Sequence, residues 1–385
     1  MGITLKICFA MPGVYPMLYG GVGPFGGSEL RAWRLAHCEA LGRLGSVSMI
    51  GFDVGQKSRE LREGLLHLRD DTQPLGTSRW RRWRGYFARR GRDTELCRKP
   101  STRAWETIAW KRADADVYVT FGVTGYSAKL AWWAKTQGKL CLLMMGSEMD
   151  LDPAEQDAAT IYDNATMVVA QTEYQRHVVQ TRFGRSTRRL RNPVVIPELA
   201  PTGPRRGFLW VGKSNDIKRP DLFVEIARLM PQHAFTLVMN KADATVDAEV
   251  RRTLPANARI IDSVAPHEMG RLYGGVIALV STSRIEGFAN SFLEAAAHRT
   301  PIVSMVSDPD GFLGEHGCGV LAGESPASVA AALRGLVAEN GDMSAEALRM
   351  GSIGRDYVER WHAASVIEAE FASLVASCAT GVGAD

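Results

Sequence analysis

Short apolar runs and amphipathic stretches alternate along most of the chain, with one interruption near residue 200. In the first half, Ile3–Met11, Val47–Phe52, Asp116–Phe121, Leu140–Met145 and Met167–Gln171 are apolar runs of strand length. Helical patterns separate most of them, at Ser28–Leu44, Ala128–Thr136 and Glu173–Arg182. Ser28 is a candidate N-cap, although Arg31 leaves the capping box incomplete. The seam that follows has no periodicity and is punctuated by Pro193, Pro197, Pro201 and Pro204. A second series then places strands at Phe208–Val211, Phe235–Met239, Arg259–Ile261, Ile277–Ser281 and Ile302–Met305. Its first helix begins at Pro220, where the missing N–H costs nothing. Alternating strand and helix predicts an α/β fold with parallel sheets covered on both faces. Two such series predict two doubly wound, Rossmann-like domains, over residues 1–197 and 205–360, facing a ligand cleft at their C-terminal strand ends.

The composition of the 385 residues, 45% hydrophobic and 23% charged, excludes a disordered, collagen-like or coiled-coil chain. The apolar runs fall short of the ~18 residues that a membrane span needs. Met1–Lys6 lacks a basic region followed by an apolar one, and the six cysteines are scattered without a CxxC pair. Both features point to a cytoplasmic protein with buried free thiols. The net charge of +4 is unevenly spread, because Arg79–Arg112 holds 12 Lys/Arg against 3 Asp/Glu. Within that segment Trp80, Arg81, Arg82 and Trp83 fit two readings. One is a basic loop whose tryptophans pack on the first domain. The other is a surface for an acceptor or for anionic headgroups at the inner face of a membrane, which would make the protein peripheral there. With the basic residues gathered in one segment and no nucleic-acid-binding fold beside it, nucleic acid is not an expected partner.

Three stretches carry phosphate-binding patterns. Gly207–Ser214 spells GxxxxGK[ST], but Phe208–Val211 lies between its glycines and is itself strand-like, whereas a P-loop needs its strand before the first glycine. Gly21–Gly26 spells GxGxxG, yet Pro12–Gly20 separates it from the first strand, where the dinucleotide fingerprint needs a tight turn. That stretch fits better as a loop folding over a ligand. The third begins after Ile277–Ser281. Glu286 stands in the strand-to-helix turn, Gly287 allows close backbone approach, and a helix starting near Ala289 carries Glu294. At the first strand end of the same domain, Gly212 and Lys213 are followed by Lys218. Two cations and a helix N-terminus suit a diphosphate, and the carboxylates suit sugar hydroxyls.

Glu286-Gly287-Phe288…Glu294 resembles the E-x7-E motif of the family-4 retaining glycosyltransferases. Val211-Gly212-Lys213…Lys218-Arg219-Pro220 resembles their phosphate loop, and Gly26-Gly27-Ser28-Glu29 their N-terminal GG-x-E loop. Gln171–Gln175 and Arg191-Asn192-Pro193 are similar to the end of their first domain. The resemblance implies a GT-B fold whose C-terminal helix, about 362–378, packs back on the first domain. It implies transfer of a sugar, of hexosyl type, from a nucleotide-sugar to a hydroxyl of a glycan, lipid-linked or small-molecule acceptor, with retained configuration. Glu294 would hold the ribose, Lys213 and Lys218 the diphosphate, and Glu286 the donor sugar. The backbone of Phe288, Ala289 and Asn290 would bind phosphate or sugar, with Gly26 and Gly27 in the opposing loop. Lys213 stands where the family usually has arginine and Ala289 where it often has glycine. Gly146–Asp150 occupies the place of a common catalytic histidine.

No metal and no cofactor is expected. Asp114-Ala-Asp116 and Asp308-Pro-Asp310 match DxD, but read as a helix end and a proline turn. His37 and His177 lie in helical patterns and read as surface or packing residues. Two other functions remain open at this point: a non-catalytic nucleotide-sugar-binding protein and a sugar-nucleotide epimerase on the same fold.

Overall fold

The computed structural model describes residues 4–11, 13, 27–52, 57–70, 108–151, 157–198, 203–265 and 267–380. Trp80, Arg81, Arg82 and Trp83, together with the glycine run that includes Gly26, lie outside these residues. In the N-terminal half the strands are β1 (Leu5–Ala10), β2 (Gly45–Phe52), β3 (Arg59–Arg62), β4 (Leu65–Asp70), β5 (Val117–Phe121), β6 (Leu140–Met144), β7 (Met167–Ala170) and β8 (Arg188–Arg189). They form one sheet in the order β3-β4-β2-β1-β5-β6-β7-β8. The central strands are buried on both faces, which is why they read as unbroken apolar runs. Ile7 and Phe9 join Met49, Val117 and Val119 on one face, while Cys8 and Ala10 join Ile50 and Tyr118 on the other.

Two features depart from the sequence reading. The first sheet is not wholly parallel, because β3 runs antiparallel to β4 through a turn at Glu63 and Gly64, whose φ values are 48° and 82°. The helix expected over Ser28–Leu44 is broken into α1 (Gly27–Ala36) and α2 (Glu39–Gly42), with Cys38 extended between them. The buried face of α1 holds Arg31, Ala32, Leu35 and Ala36. Continued without a break, that face would present Glu39 and Arg43; the break turns Leu41 into the core instead.

Further along lie α3 (Gly125–Thr136), capped by Thr124 through Ser127 N–H at 3.2 Å, α4 (Asp157–Asn164) and α5 (Glu173–Phe183). The C-terminal half holds β9 (Phe208–Lys213), α6 (Pro220–Leu229), β10 (Phe235–Asn240), α7 (Ala244–Arg252), β11 (Ala258–Ile261), α8 (Met269–Gly275) and β12 (Ala278–Ser281). After them come α9 (Asn290–Ala297), β13 (Ile302–Ser304), β14 (Gly319–Leu321), α10 (Pro326–Gly335), α11 (Ala345–Trp361) and α12 (Ala364–Thr380). The second sheet is parallel throughout, in the order β11-β10-β9-β12-β13-β14.

Strand order reverses between β1 and β5 in the first sheet and between β9 and β12 in the second. At such switch points the loops leaving neighbouring strand ends diverge and open a crevice. The chain crosses between the halves twice, and the crossings touch: Val194 N–H donates to His362 O at 2.8 Å and Ala364 N–H to Val194 O at 3.0 Å. Beyond that ladder α12 buries Ile367, Phe371 and Val375 in the first-sheet core, with the Phe371 ring 6.0 Å from Phe9. Burial of each such side chain is worth about 1.5–3 kcal/mol.

Candidate active site

The second switch point is built by the ends of β9 and β12. Residues between Gly207 and Gly212 form β9, and no helix opens until Pro220, so this segment does not have P-loop geometry. Gly207 has a structural task there: its φ is +68°, and a Cβ would stand 2.3 Å from Ala234 O. Gly212 makes room for the Trp210 indole, which lies 2.8 Å from where its Cβ would be. Lys213 ends the strand and has no ion pair among the described residues.

The 214–219 turn is tied to the strand end beside it. Thr282 Oγ1 lies 2.7 Å from Lys218 O and 2.8 Å from Arg219 O, and it accepts the Trp210 indole N–H at 3.0 Å. Lys218 N–H donates to Asn215 Oδ1 at 2.9 Å. This turn delivers the Lys218 ammonium to the Glu286 carboxylate, and both side chains are largely buried in the ion pair. Glu294, on α9, accepts from Tyr273 O–H at 3.0 Å and pairs with Arg34 of α1 at 3.4 Å. Burial, with the Glu294 carboxylate as a further cause, pushes the Tyr273 phenol well above its ordinary range, so it stays a donor. Ala289 precedes α9 without a capping side chain. The first N–H groups of the helix, at Asn290 and Ser291, therefore lack intrahelical acceptors.

The opposite wall comes from the first sheet. Gln171 Nε2 donates to Met145 O at 2.7 Å and Gly146 O at 2.8 Å, while its Oε1 accepts from Phe288 N–H at 3.2 Å. Asn192 Nδ2 donates to Gln171 Oε1 at 3.0 Å and to Phe288 O at 2.8 Å. Both backbone groups of Phe288 are thereby taken by the N-terminal half. Its ring packs between Phe312 and His362, at 5.3 and 4.7 Å. The sequence reading offered the Phe288 backbone to a ligand; in the fold it joins the halves, and Ala289 and Asn290 are left at the helix start. Gly287 likewise admits protein: a Cβ would stand 3.1 Å from Gln171 Oε1 and 3.3 Å from Ser147 Cα. Asn290 Nδ2 reaches Gly27 O at 3.2 Å.

After β6, Asp150 accepts from Val123 N–H at 2.8 Å, Gly146 N–H at 2.5 Å and Ser147 N–H at 3.2 Å. This fixes the 146–150 turn and leaves Glu148 half-buried beside Glu286. Burial, and secondly the Glu286 charge, push the Glu148 carboxyl up to about 7.

The structure brings Lys213, Lys218, Glu286, Asn290 and Gly27 to this cleft, with Glu294 at its edge. Sequence reasoning assigned no role to Arg34, Tyr273, Gln171, Asn192 or Glu148. Gln171 and Asn192 stand in stretches that resembled the end of a first domain, which was their one signal.

The DxD pairs lie elsewhere. Asp114 pairs with Lys6 at 2.8 Å and Asp116 accepts Lys6 N–H at 2.9 Å, at the N-terminal end of β5. Asp308 binds the N–H groups of Leu313 and Gly314, at 2.7 and 3.0 Å, and Asp310 binds Glu173 N–H at 2.9 Å. His37 packs on Trp33 with ring centroids 3.7 Å apart. Among the described residues no three His, Cys, Asp or Glu side chains form a metal-binding group.

Two sheets of mainly parallel strands with apposed switch points define the GT-B fold of glycosyltransferases, and solved structures match it along nearly the full length. Sucrose-phosphate synthase from Thermosynechococcus elongatus has a TM-score of 0.77 at 16% identity, covering 97% of this chain and 99% of its own. Anabaena Alr3699/HepE, in complex with UDP and glucose, has a TM-score of 0.70 at 15% identity, covering 97% and 100%. WaaG, a glycosyltransferase involved in lipopolysaccharide biosynthesis, has a TM-score of 0.63 at 14% identity, covering 96% and 99%. Identities this low speak for the fold. At the level of sequence, residues 205–339 match the family model for glycosyl transferases group 1. No curated protein matches the chain.

Proposed function

We propose that this chain is a retaining glycosyltransferase of family-4 type, moving a sugar from a nucleotide-sugar to an acceptor hydroxyl without a metal ion. The observation that carries the reading is the convergence of Lys213, the Lys218–Glu286 pair and the uncapped start of α9 on one switch point. A departing nucleoside diphosphate develops negative charge, which two ammonium groups and a helix N-terminus stabilise. Glu286, already holding Lys218, is placed to accept a donor-sugar hydroxyl. Glu294 has lone pairs beyond those used by Tyr273 and Arg34 and would take the ribose hydroxyls. Alr3699/HepE carries UDP and glucose in its structure, which supports a nucleotide-sugar as the donor class here. The acceptor would enter from the side of the first sheet. The route implied by the resemblance has the leaving phosphate help deprotonate the acceptor on the same face of the sugar.

The test is nucleotide release from UDP-, GDP- and ADP-sugars, with and without EDTA. Glu294→Ala and Lys218→Ala are each expected to cut turnover by more than ~tenfold, the Glu294 variant mainly through donor affinity, since a charged hydrogen bond is worth ~1.5–3 kcal/mol. EDTA is expected to leave the rate unchanged. Wild-type rates in both variants would remove these residues from the site. Release from the donor with no transfer to any acceptor, and interconversion of the donor sugar, would point to the binding protein and the epimerase respectively.

A further inference from the structure

The second sheet has two ends, and the proposed donor site takes up one of them. At the other, where β9, β10 and β11 begin, lies a groove of about 760 Å³. That volume falls in the range of small-molecule sites, roughly 300–1,000 Å³. The two places are well apart. β9 runs from Phe208 in the groove to Lys213 at the donor site, and at ~3.3 Å per residue its length separates them by roughly 17 Å. The groove is firmly built. Asn257 Nδ2 lies within 3.1 Å of the carbonyl oxygens of Ala227, Met230 and His233, which fixes the 230–233 turn along one wall. Beneath, the buried rings of Phe208 and Phe235 pack with centroids 5.2 Å apart, and the His233 ring meets Phe208 edge-on at 5.7 Å.

The charge of the groove has one sign. Arg206 ahead of β9, Arg259 on β11 and Arg271 on α8 all line it, and no Asp or Glu among the described residues does. Arg259 uses its Nε on Thr236 Oγ1 at 3.1 Å, which orients the guanidinium and leaves its two Nη groups as donors. Arg271 has neither an ion pair nor a side-chain hydrogen bond among the described residues. Asp342, which does not line the groove, reaches Arg206 at 3.5 Å; its other oxygen accepts Arg205 N–H at 3.0 Å and Met343 N–H at 2.7 Å. Like charges gathered without a counter-charge repel one another, and an anion among them removes that cost. Planar guanidinium forks match phosphate oxygens, and three of them on separate elements match more than one anionic group. We propose that this groove is a second binding site, for a soluble small molecule carrying two or more phosphate groups. The recess favours a small molecule over a flat surface, and the site stands whether or not the chain transfers a sugar.

The probe is inorganic tripolyphosphate, titrated calorimetrically at ~50 mM salt, where screening is weak. The full chain carries Lys213→Ser and Lys218→Ser in every sample, so that the ammonium groups of the donor site do not contribute. Saturable binding of one equivalent, with a Kd below ~1 mM, is expected. Arg271→Ser, which breaks no side-chain contact within the protein, is expected to weaken binding about tenfold, and Arg259→Ser together with Arg271→Ser about a hundredfold. Arg349→Ser with Arg360→Ser removes the same charge from residues that do not line the groove, and should leave the Kd within about twofold. No saturable binding to the lysine-substituted chain overturns the proposal. So does an equal loss from the Arg349 and Arg360 pair, which would reduce the effect to net charge.

Discussion

His362 occupies a place where ionisation is costly. It is fully buried, its Nδ1 lies 2.9 Å from Asn192 O, and its ring packs on Phe288. Burial first, then the charges of Arg191 and Arg189, push it down to about 3 against the pull of the Asn192 carbonyl. Burial in the first sheet, with Arg62 nearby as a lesser cause, pushes His67 down to about 4. Unfolded, both would bind a proton near the model-peptide value of ~6.5. The folded protein thus has their full contribution above that pH and loses it as the pH falls from ~6.5 towards about 4, because only the unfolded chain takes up the protons. The Tm is expected to fall steadily between pH 7 and pH 5, and His362→Gln to lower it at pH 7 while flattening the slope. An equally steep decline in the variant would assign the effect to other groups. His362 also marks the limit of what letters reveal. Glu286, Glu294 and Lys218 were legible because motif spacing along one chain segment places them. Arg34, Asn192 and Glu148 were not, because their neighbours come from 260, 96 and 138 residues away in sequence, across the meeting of the two halves.

Among the elements, β9 shows how far pattern reasoning carries. Four apolar residues between two glycines predicted a strand where the P-loop pattern would require a loop, and the strand is there. Gly207→Ala is therefore expected to lower Tm, since a Cβ would meet Ala234 O and the left-handed backbone disfavours alanine, at a cost above ~1 kcal/mol. Donor KM should stay as in wild type; a selective loss of nucleotide affinity at unchanged Tm would restore the P-loop reading. β3 and β4 escaped the sequence for a physical reason. β4 buries His67 and Asp70 among its leucines, and β3 is an edge strand with Leu61 in the open, so neither shows the apolar signature of the central strands. The break after α1 was equally hidden, because the choice between Glu39 and Leu41 for the core is made by packing and not by propensity.

At the scale of the whole molecule, the basic and aromatic residues stand in the sequence between β4 and β5, in the half of the chain that does not carry Lys213, Lys218 and Glu294. No helix among the described residues is long and apolar enough to cross a membrane. The composition of Arg79–Arg92 fits a basic stretch packed on its own domain as well as a surface that meets anionic headgroups, and vesicle binding separates the two. Each basic side chain near such a surface is worth ~1 kcal/mol, and screening acts over ~10 Å at 0.1 M salt. Vesicle binding is expected to rise with anionic lipid and fall with salt. Replacing Arg81, Arg82, Arg89 and Arg90 by serine should abolish it while donor hydrolysis continues, and Trp80 and Trp83 should shift their emission to the blue on binding. A wild-type chain that ignores anionic vesicles at low salt would return the segment to packing or to a soluble acceptor.

The ladder between Val194 and Ala363 has a mechanical meaning. Bodies joined by one strand of chain behave like a ball on a tether, free to tilt and twist about several axes. Here two strands cross side by side and are laced to each other by hydrogen bonds at 2.8 and 3.0 Å. Two attachment points define a line, and a line is an axle. Any relative motion of the halves is then expected to be a swing about that axle, a book-like opening and not that of a loose lid. Displacement then grows with distance from the spine. The Asn192–Phe288 contact, close to Val194 in the chain, would move least, while groups farther from the axle would sweep the widest arc and come back to the same register at each closure.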